Sequence, residues 1–564
     1  MESKIIDIAK EWLSESYDII TQKEVASLIS NGGEELIESF YKDLDFGTGG
    51  MRGIMGVGTN RINKYTIGKA TQGLANTLIE MYPGEEIGVA IAYDCRNKSD
   101  FLAQTAAEVL SANNIKVHLF EALRPTPELS FAVRELNCKS GIVITASHNP
   151  KEYNGYKVYG DDGCQIVSPF DVELISKVRS LSINEVNFKA NKELINSLGE
   201  EMDTKYISRL KTLSLSPEAI KEQSHLPIVF TGIHGTGSVM VPKALKVFGF
   251  TNVYTVASQD IIDGNFPTVK SPNPEEPAAL ELAIALAKEK GAELVMGTDP
   301  DADRVGIAIP NKSGEFVLLN GNQTGSLLVN YLLIRWKELG KITGKEFIAK
   351  TIVTTNLMDV IAIANGVKVY NTLTGFKHIG AIIRALEGKE KFIGGGEESY
   401  GYLAGDFVRD KDAVMSCALI AEMVAWAKSN RKNLFDLMQE MYMEHGFYLE
   451  DLISITKKGR HGAAEIATML DNLRSNPPKS IVGEEVIAII DYLETKKTGL
   501  PESNVLQFIT AKGTKLTARP SGTEPKIKFY FSVNEKLSSK TDYELIKSKL
   551  EKKIESIQVD LSLN

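Results

Sequence analysis

The sequence predicts an α/β fold, with three related doubly wound α/β domains around a central cleft and an α+β domain at the carboxyl terminus. The first observation behind this prediction is length, since 564 residues correspond to about four domains of roughly 150 residues each. The second is a strand–helix order that recurs three times, and the third is a change of pattern near the carboxyl terminus. We expect domains at residues 1–210, 211–322, 323–446 and 447–564.

The first repeat begins with IGVAIAYD, which has the apolar, β-branched character of a buried strand. It continues with the amphipathic helix FLAQTAAEVLSANN, the strand KVHLFEA and the helix PTPELSFAVREL. The last strand, in GIVITASHNPKEYNG, is apolar at Ile142, Val143 and Ile144, which indicates burial on both faces. It ends in a polar cluster, TASHNP, at the edge where open α/β sheets bind ligands.

The second and third repeats end in the same way. PIVFTGIHG begins a unit whose last strand runs into TDPDADR, and EFIAKTIVTT begins a unit whose last strand runs into GGGEESYG. Strands that alternate with helices in this order predict parallel sheets. From about Phe447 the pattern changes to a helix followed by NVLQFITAKGTKLTARPSGTEPKIKFYFSV, which predicts a hairpin around Lys512-Gly513 and a further strand. This last domain has its own polar loop, RPSGTEPK.

Composition excludes several classes of protein. The 64 Lys and Arg residues against 73 Asp and Glu residues give a net charge of −9, which argues against a nucleic-acid-binding protein. The 4 cysteines lie far apart without a C-x-x-C pair, so neither a zinc site nor a disulfide framework is expected. The amino terminus lacks the apolar core of a signal peptide, and the apolar stretch from Ala413 to Ala427 is too short to cross a bilayer. We expect a cytoplasmic protein without nucleic-acid or membrane partners.

The loop TDPDADR predicts a metal site. Asp299, Asp301 and Asp303 alternate directly after an apolar strand, and such close carboxylates repel one another unless a cation compensates them. Oxygen ligands of this kind suit Mg²⁺. An EF-hand is excluded, because Arg304 and Pro310 stand where its glycine and glutamate belong. A solvated acidic turn and a phosphatase with Asp301 as its nucleophile remain alternatives.

The loop TASHNP leaves two interpretations open. Ser147 is either part of a Ser/Asn/Pro turn or a phosphoryl carrier that a metal activates. An acyl-transfer nucleophile is disfavoured, because the G-x-S-x-G motif is absent.

The remaining two loops suit a sugar and a phosphate. In GGGEESYG the three glycines allow a close backbone approach to a ligand, while Glu397 and Ser399 suit sugar hydroxyls; a glycine-rich turn before a helix is the alternative. In RPSGTEPK, Arg519 and the hydroxyl and amide donors that follow it suit a phosphate. A tight turn between strands is the alternative there.

Taken in order, TASHNP, TDPDADR, GEES and RPSGTEP resemble the motifs of the α-D-phosphohexomutase superfamily. The resemblance runs from FGTGGMRG at residues 46–53 to RPSGTEPK at residues 519–526. The segments FGTGGMRGIMG, TGFKHIG and GGEESYGYL look most like the long phosphoglucomutase/phosphopentomutase branch.

The resemblance implies an intramolecular phosphotransferase that interconverts a sugar 1-phosphate and 6-phosphate through a phosphoserine enzyme and a bisphosphorylated sugar. For catalysis it implies Ser147 as the phosphoserine, with Arg52, His148 and Lys157 around it, Arg304 on the transferring phosphoryl group, and one Mg²⁺ per chain bound by Ser147, Asp299, Asp301 and Asp303. For substrate binding it implies Lys377 and His378 near the substrate, and Glu397 and Ser399 on sugar hydroxyls. The phosphate that does not react would be bound by Arg519, Ser521, Gly522 and Thr523. His148, Lys157 and His378 are alternative general bases.

The expected substrate is α-D-glucose 1-phosphate, because the resemblance is to the phosphoglucomutase branch. Tyr400 departs from the small residue of many hexose-phosphate enzymes, so mannose, ribose and deoxyribose phosphates stay open. A sugar 1,6-bisphosphate is the expected activator, and a monomer or small homo-oligomer the expected assembly. The rival functions are a Mg²⁺-dependent sugar phosphatase and a sugar-phosphate sensor without turnover.

Overall fold

Three short helices precede the first sheet. The structure is a computed structural model that describes residues 2–47, 50–457, 460–521 and 526–563. The helices are α1 (Glu2–Glu11), α2 (Ile19–Asn31) and α3 (Glu34–Phe40). They pack around an aromatic cluster in which the rings of Trp12 and Tyr17 stack at 4.5 Å.

The first sheet has the strand order β1-β2-β6-β5-β3-β4-β7. Strands β3, β4 and β5 run parallel, as the repeat predicts, and β7 pairs in parallel with β4. Strand β6 is antiparallel to β5, and β2 is antiparallel to β6. Strand β6, which carries Lys157, was not predicted from the sequence. The elements are β1 (Phe46–Gly47), β2 (Gly50–Ile54), α4 (Lys64–Met81), β3 (Gly88–Tyr93), α5 (Ser99–Ala112), β4 (Lys116–Phe120), α6 (Thr126–Glu135), β5 (Ser140–Ile144), β6 (Tyr153–Gly160), α7 (Phe170–Ser180) and β7 (Ile195–Leu198).

The second sheet has the order β12-β11-β10-β8-β9, with β10 parallel to β8 and antiparallel to β11. The polar stretch before it, residues 213–226, is held in place at its start, because Glu422 accepts hydrogen bonds from the backbone N–H groups of Leu215 and Ser216. The elements are α8 (Glu200–Lys211), α9 (Pro217–Glu222), β8 (Ile228–Thr231), α10 (Gly237–Phe248), β9 (Val253–Thr255), α11 (Pro277–Lys290), β10 (Leu294–Thr298), β11 (Val305–Pro310) and β12 (Phe316–Leu319).

The third repeat contains β13, which pairs in parallel with β14 and β15. The elements are α12 (Gly321–Glu338), β13 (Glu346–Thr351), α13 (Leu357–Ala364), β14 (Lys368–Thr372), α14 (Phe376–Leu386), β15 (Lys391–Glu397), β16 (Gly401–Ala404), α15 (Ala413–Ser429) and α16 (Leu434–His445). The apolar stretch at Ala413–Ala427 forms the expected buried helix, α15.

The carboxyl-terminal domain is an antiparallel sheet of order β17-β22-β21-β20-β19-β18. The predicted hairpin around Gly513 is present, but the domain begins with a strand that pairs along β22 rather than with the predicted helix. The elements are β17 (Phe447–Thr456), α17 (Arg460–Ser475), β18 (Ser480–Ile481), β19 (Glu484–Asp491), α18 (Thr495–Thr498), β20 (Leu506–Thr510), β21 (Lys515–Pro520), β22 (Lys526–Glu535) and α19 (Tyr543–Asp560).

These elements confirm the predicted fold class of three α/β domains and an α+β domain. Within the described ranges, no helix combines the length and apolarity needed to span a membrane. The chain forms two compact units, which are described separately below. The first unit consists of Met1–Leu319, Gly380–Glu387 and Gly401–Trp426, and the second of Asn320–Ile379, Gly388–Tyr400 and Ala427–Asn564.

Candidate active site

The first unit places Ser147 at the carboxyl end of the fully buried strand β5. The chain turns sharply there, since Ser147 adopts a left-handed φ of 52°. The Thr145 hydroxyl accepts the N–H of Ser147 at 2.8 Å and donates to Asp94 Oδ2 at 2.7 Å. Gly155 on β6 permits this turn, because a Cβ there would lie 2.5 Å from the Thr145 carbonyl oxygen. Ser147 is only 3% exposed.

A buried guanidinium holds the backbone of the serine loop. Arg96 Nη2 donates to the carbonyl oxygens of Ser147, at 2.7 Å, and of Asn149. Its Nη1 donates to the carbonyl oxygens of Pro150 and Tyr153 at 2.8 and 2.9 Å. Charge-assisted bonds of this kind are about twice as strong as neutral ones. Arg96 therefore fixes the backbone of the loop, and the Ser147 hydroxyl is available for a hydrogen bond with another residue.

That partner is the first aspartate of the loop between β10 and β11. Ser147 Oγ donates to Asp299 Oδ2 at 2.8 Å and lies 3.2 Å from His148 Nδ1. Asp299 Oδ1 accepts the backbone N–H groups of Asp303 and Arg304, both at 3.1 Å. These bonds fold the aspartate loop back on itself, so that its carboxylates face the serine.

The other two aspartates are paired with cations. Asp301 Oδ2 accepts from Lys157 Nζ at 2.8 Å and from the Thr126 hydroxyl at 2.9 Å. Asp303 Oδ2 lies 3.4 Å from Lys157 Nζ and 3.2 Å from Lys411 Nζ. Burial acts to raise the pKa of Asp301, but the charge and hydrogen bond of Lys157 hold it below its usual range. Two lysines thus share a cluster of three buried carboxylates.

The carboxylates also fit a metal ion. Asp299, Asp301 and Asp303 each offer one oxygen within 4.8 Å of the others. The Oδ1 atoms of Asp301 and Asp303 are buried and accept no hydrogen bond in the described structure, although leaving such an atom unsatisfied costs about 1–3 kcal/mol. Burial and the two neighbouring carboxylates raise the pKa of Asp299 well above its usual range. A divalent cation that prefers oxygen would satisfy these atoms and relieve the repulsion.

The remaining predicted residues of the first unit surround this cluster. Arg52 Nη1 donates to Asn149 Oδ1 at 3.0 Å, beside the serine loop. Arg304 Nη1 donates to Glu275 Oε1 at 2.6 Å. Burial, together with the charges of Arg304 and Arg52, lowers the pKa of His148 to about 2, so its imidazole is neutral at neutral pH. The structure therefore brings together the predicted serine, histidine, arginines, lysine and aspartates.

The second unit places the predicted sugar-binding residues at the end of β15. Glu397 Oε1 accepts the N–H of Gly375 at 2.9 Å and so connects to the turn that begins α14, where Lys377 and His378 lie. Burial and Lys377 lower the pKa of His378 to about 4. Ser399 is half-buried in the loop that follows β15.

The glycine triplet before Glu397 lies inside β15, which excludes the alternative of a glycine-rich turn. A Cβ at Gly395 would fall 1.9 Å from the Ala349 carbonyl oxygen on β13, so this glycine allows the two strands to approach. The close approach of a ligand to the triplet stays a prediction.

The predicted phosphate-binding loop follows β21. Arg519 Nη1 donates to the Tyr530 hydroxyl at 3.3 Å. Burial and Glu398, with a smaller contribution from Glu397, raise the pKa of Tyr530 to about 12. Tyr530 is therefore near both Arg519 and the carboxylates at the end of β15. The N–H of Ser521 donates to the Lys526 carbonyl oxygen at 2.7 Å. Gly522 and Thr523 lie outside the described residues.

Sequence reasoning missed Arg96, Asp94, Thr126 and Lys411. Asp94 is the last residue of the first predicted strand, IGVAIAYD, and Arg96 follows it by two positions; this place at a strand end was the available signal. Lys411 lies in RDKD, a run of charged residues directly before the buried helix α15, and this run was the available signal. Thr126 carries no such signal, since a threonine at a helix start is ordinary.

Three family models match consecutive parts of the chain. They are described as phosphoglucomutase/phosphomannomutase, alpha/beta/alpha domains I, II and III, and they match residues 43–184, 204–314 and 320–445. A phosphoglucomutase of Staphylococcus haemolyticus is 40% identical over 512 residues, which cover 88% of this chain and 91% of that protein. A phosphoglucomutase of Staphylococcus epidermidis is 38% identical over 533 residues, covering 92% and 96%.

Solved structures share the fold at lower identity. Parafusin, a phosphoglucomutase from Paramecium solved in an open form, superimposes with a TM-score of 0.69 at 18% identity over 91% of this chain and 95% of its own. A phosphoglucomutase/phosphomannomutase family protein from Burkholderia thailandensis gives a TM-score of 0.64 at 19% identity over 91% and 97%. These similarities extend over nearly the whole chain.

Proposed function

The chain belongs to the phosphoglucomutase/phosphomannomutase family of the α-D-phosphohexomutase superfamily, and we propose that it interconverts α-D-glucose 1-phosphate and glucose 6-phosphate. Membership makes it an enzyme, an intramolecular phosphotransferase of the isomerase class. The choice of glucose rests on relatives at about 40% identity that are named phosphoglucomutases. Phosphopentomutase and phosphomannomutase activities of the same mechanism are the alternatives that the experiment below separates.

One observation carries the proposed mechanism: the Ser147 hydroxyl lies 2.8 Å from Asp299 in a cluster of three buried carboxylates. A phosphoryl group on this oxygen would add negative charge to three carboxylates that two lysines neutralise only in part. A further cation at the site makes that arrangement favourable. We propose that Ser147 carries the phosphoryl group and that Asp299, Asp301, Asp303 and phospho-Ser147 bind one Mg²⁺.

The chain's own residues divide the reaction between them. Phospho-Ser147 gives its phosphoryl group to the free hydroxyl of a sugar monophosphate: the Ser147 Oγ–P bond breaks and a new O–P bond forms. The hydroxyl proton goes to a general base, for which His148, Lys157 and His378 are the alternatives, and a proton is returned to the Ser147 oxygen. The bisphosphate rebinds in the opposite orientation and returns the other phosphoryl group to Ser147. Mg²⁺, when bound, supplies positive charge beside the transferring group. Lys157 and Arg304 add charge there, and Arg96 fixes the attacking geometry.

The second unit supplies the proposed contacts to the part of the substrate that does not react. We assign the sugar hydroxyls to Glu397 and Ser399, and the non-reacting phosphate to Arg519, Ser521, Gly522 and Thr523. Lys377 and His378 stand on the turn that Glu397 holds, which supports a role near the sugar. A sugar 1,6-bisphosphate is the proposed activator, because it restores phospho-Ser147 when the bisphosphate escapes. We further propose a cytoplasmic monomer or small homo-oligomer.

A coupled assay tests this function. The enzyme, Mg²⁺ and a trace of glucose 1,6-bisphosphate are mixed with glucose 1-phosphate, and glucose 6-phosphate is measured with its NADP-dependent dehydrogenase. Parallel reactions contain mannose 1-phosphate and ribose 1-phosphate, whose products mannose 6-phosphate and ribose 5-phosphate are quantified by ³¹P NMR. Inorganic phosphate is measured in each reaction, and binding of each sugar phosphate is measured by calorimetry. We expect the highest kcat/KM with glucose 1-phosphate and no net phosphate release. Stoichiometric phosphate release would identify a phosphatase, and binding without product would identify a sensor.

Replacing Arg96 with methionine is expected to lower kcat/KM by about 100-fold, since small misplacements of a reacting group cost that much. Methionine keeps the length of the side chain but cannot donate to the four carbonyl oxygens of the serine loop. Arg179→Met is the control, because Arg179 is exposed on α7. Steady-state kinetics and thermal unfolding are measured for both variants. Equal kcat/KM in the two would contradict a positioning role for Arg96.

A further inference from the structure

A buried lysine of the carboxyl-terminal domain is bonded to a loop of the third domain. Lys515 begins β21 and is 5% exposed. Its Nζ donates to the carbonyl oxygens of Ile352 and Thr354 at 3.1 and 3.2 Å and to Asn356 Oδ1 at 2.7 Å. The three acceptors match the three protons of an ammonium group. They all lie in the loop between β13 and α13, which we call the β13–α13 loop (residues 352–356).

The same loop holds the segment that follows β15. Glu398 Oε2 accepts the hydroxyls of Thr351 and Thr354 at 3.0 and 3.1 Å. The backbone N–H of Glu398 donates to the Thr354 hydroxyl at 3.2 Å. Glu398 stands between Glu397 and Ser399, the two residues assigned to sugar hydroxyls. The position of those two residues therefore depends on where the β13–α13 loop lies.

Lys515 also shares a strand face with the phosphate-binding arginine. Residues 515, 517 and 519 alternate along β21, so their side chains point to one face of the sheet. Thr517 is opposite Tyr530 in the ladder, and Tyr530 accepts from Arg519. An apolar cluster that includes Ile352, Val353 and Tyr530 packs beside these polar contacts. Lys515 is thus one polar link between β21 and the β13–α13 loop. Gln507 adds a second, since its Nε2 donates to the Ile352 carbonyl oxygen at 2.8 Å and to the Thr517 hydroxyl at 3.0 Å, and the apolar cluster packs beside both.

Burying the ammonium group of Lys515 is energetically unfavourable. Burial and the nearby Lys350 lower the pKa of Lys515 to about 7, against the opposite influence of Asp359, Glu450 and Glu398. A buried cation stabilises a fold less than apolar side chains of the same volume often do. A contribution to stability therefore explains a lysine at position 515 poorly. Its three hydrogen bonds, which fix the position of the β13–α13 loop, explain it better.

We propose that Lys515 is a positioning residue that sets the spacing between the sugar-binding residues Glu397 and Ser399, at the end of β15, and the phosphate-binding residues Arg519 and Ser521, at the end of β21. A sugar monophosphate presents its hydroxyls and its non-reacting phosphate at a separation that its own bonds determine. The two groups of protein residues must match that separation to bind both at once. The proposal rests on the proposed function, because it assigns these residues to one phosphosugar.

The test compares Lys515→Met with Thr514→Val. Methionine removes the donors of Lys515 at similar length. Thr514→Val removes a buried hydrogen bond of the same hairpin, from the Thr514 hydroxyl to Glu484 at 2.7 Å, and leaves the contacts of Lys515 in place. We expect Lys515→Met to raise the KM for the sugar monophosphate by about tenfold, or about 1.4 kcal/mol of binding free energy, because the residues that contact the sugar and the phosphate are no longer held at the matching separation. The kcat should stay within about threefold of the wild type, and Thr514→Val should leave the KM unchanged.

A second variant covers the case in which Lys515→Met does not fold. Asn356→Ala keeps the lysine and removes the shortest of its three hydrogen bonds; the KM should rise by about threefold. Hydrogen–deuterium exchange gives a readout that needs no activity. Exchange should rise at residues 352–356 and 397–399 in both linked variants and stay at the wild-type level there in Thr514→Val.

The outcomes separate this proposal from the proposed function. Wild-type protein without turnover on any phosphosugar would overturn the function, while the exchange data would still test the link. Unchanged KM and unchanged exchange in Lys515→Met or, if that variant does not fold, in Asn356→Ala would overturn the link, even in an active mutase.

Discussion

Ser147→Ala is expected to abolish mutase turnover, lowering kcat by about 10⁴-fold or more. The substitution removes the oxygen that would carry the phosphoryl group, and no other hydroxyl of the serine loop takes its place: the Thr145 hydroxyl is bonded to Asp94 and to the N–H of Ser147. The coupled assay measures turnover. Intact-protein mass spectrometry after incubation with glucose 1,6-bisphosphate measures phosphorylation, which we expect in the wild type and not in the variant.

Ser140→Ala is the matched control for this experiment. Ser140 begins β5, the strand that leads to Ser147, and its buried hydroxyl donates to the Tyr159 carbonyl oxygen at 2.7 Å. Losing that bond should cost about 1 kcal/mol of stability and leave phosphorylation intact. Full turnover in Ser147→Ala would refute the assignment of Ser147 as phosphoryl carrier.

Asp301→Asn is expected to lower kcat by about 10³-fold and to weaken Mg²⁺ binding strongly, because a metal ion contributes several kcal/mol of charge stabilisation to such reactions. Asparagine keeps the volume and one oxygen but loses the negative charge that both the cation and Lys157 require. Isothermal titration with Mg²⁺ and the coupled assay measure the two effects. Removing Mg²⁺ from the wild type with a chelator should likewise stop turnover.

Glu281→Gln is the control for the loss of a carboxylate, since Glu281 is exposed on α11 of the same domain. It should bind Mg²⁺ and turn over like the wild type. Mg²⁺ should also raise the melting temperature of the wild type, because a ligand that binds only the folded state stabilises it, and this increase should be absent in Asp301→Asn. Wild-type kcat for Asp301→Asn at low Mg²⁺ would contradict the metal site.

Much of the fold could be predicted because its signals are local. Strand–helix alternation identified the three α/β repeats, and the apolar run before each polar loop identified the strands that lead to Ser147, Asp299 and Glu397. The strand β6 was missed, since YNGYKVYG mixes polar residues and glycines, and its burial comes from neighbouring strands on both sides. The strand β17 was missed for a related reason: four of its ten residues are exposed, and it is stabilised by pairing along β22.

The chain's sequence alone determined which residues carry chemistry: one serine after a buried strand, three alternating aspartates after another, and loops suited to a sugar and a phosphate. These patterns are short-range, and the chemistry of the side chains indicates which ligands they suit. Only the tertiary structure decided how those residues are held. Arg96 bonds to carbonyl oxygens more than 50 positions away, and Lys411 and Thr126 reach the aspartates from other domains. Contacts of this range have no periodicity in the sequence, because packing and the satisfaction of buried polar groups create them.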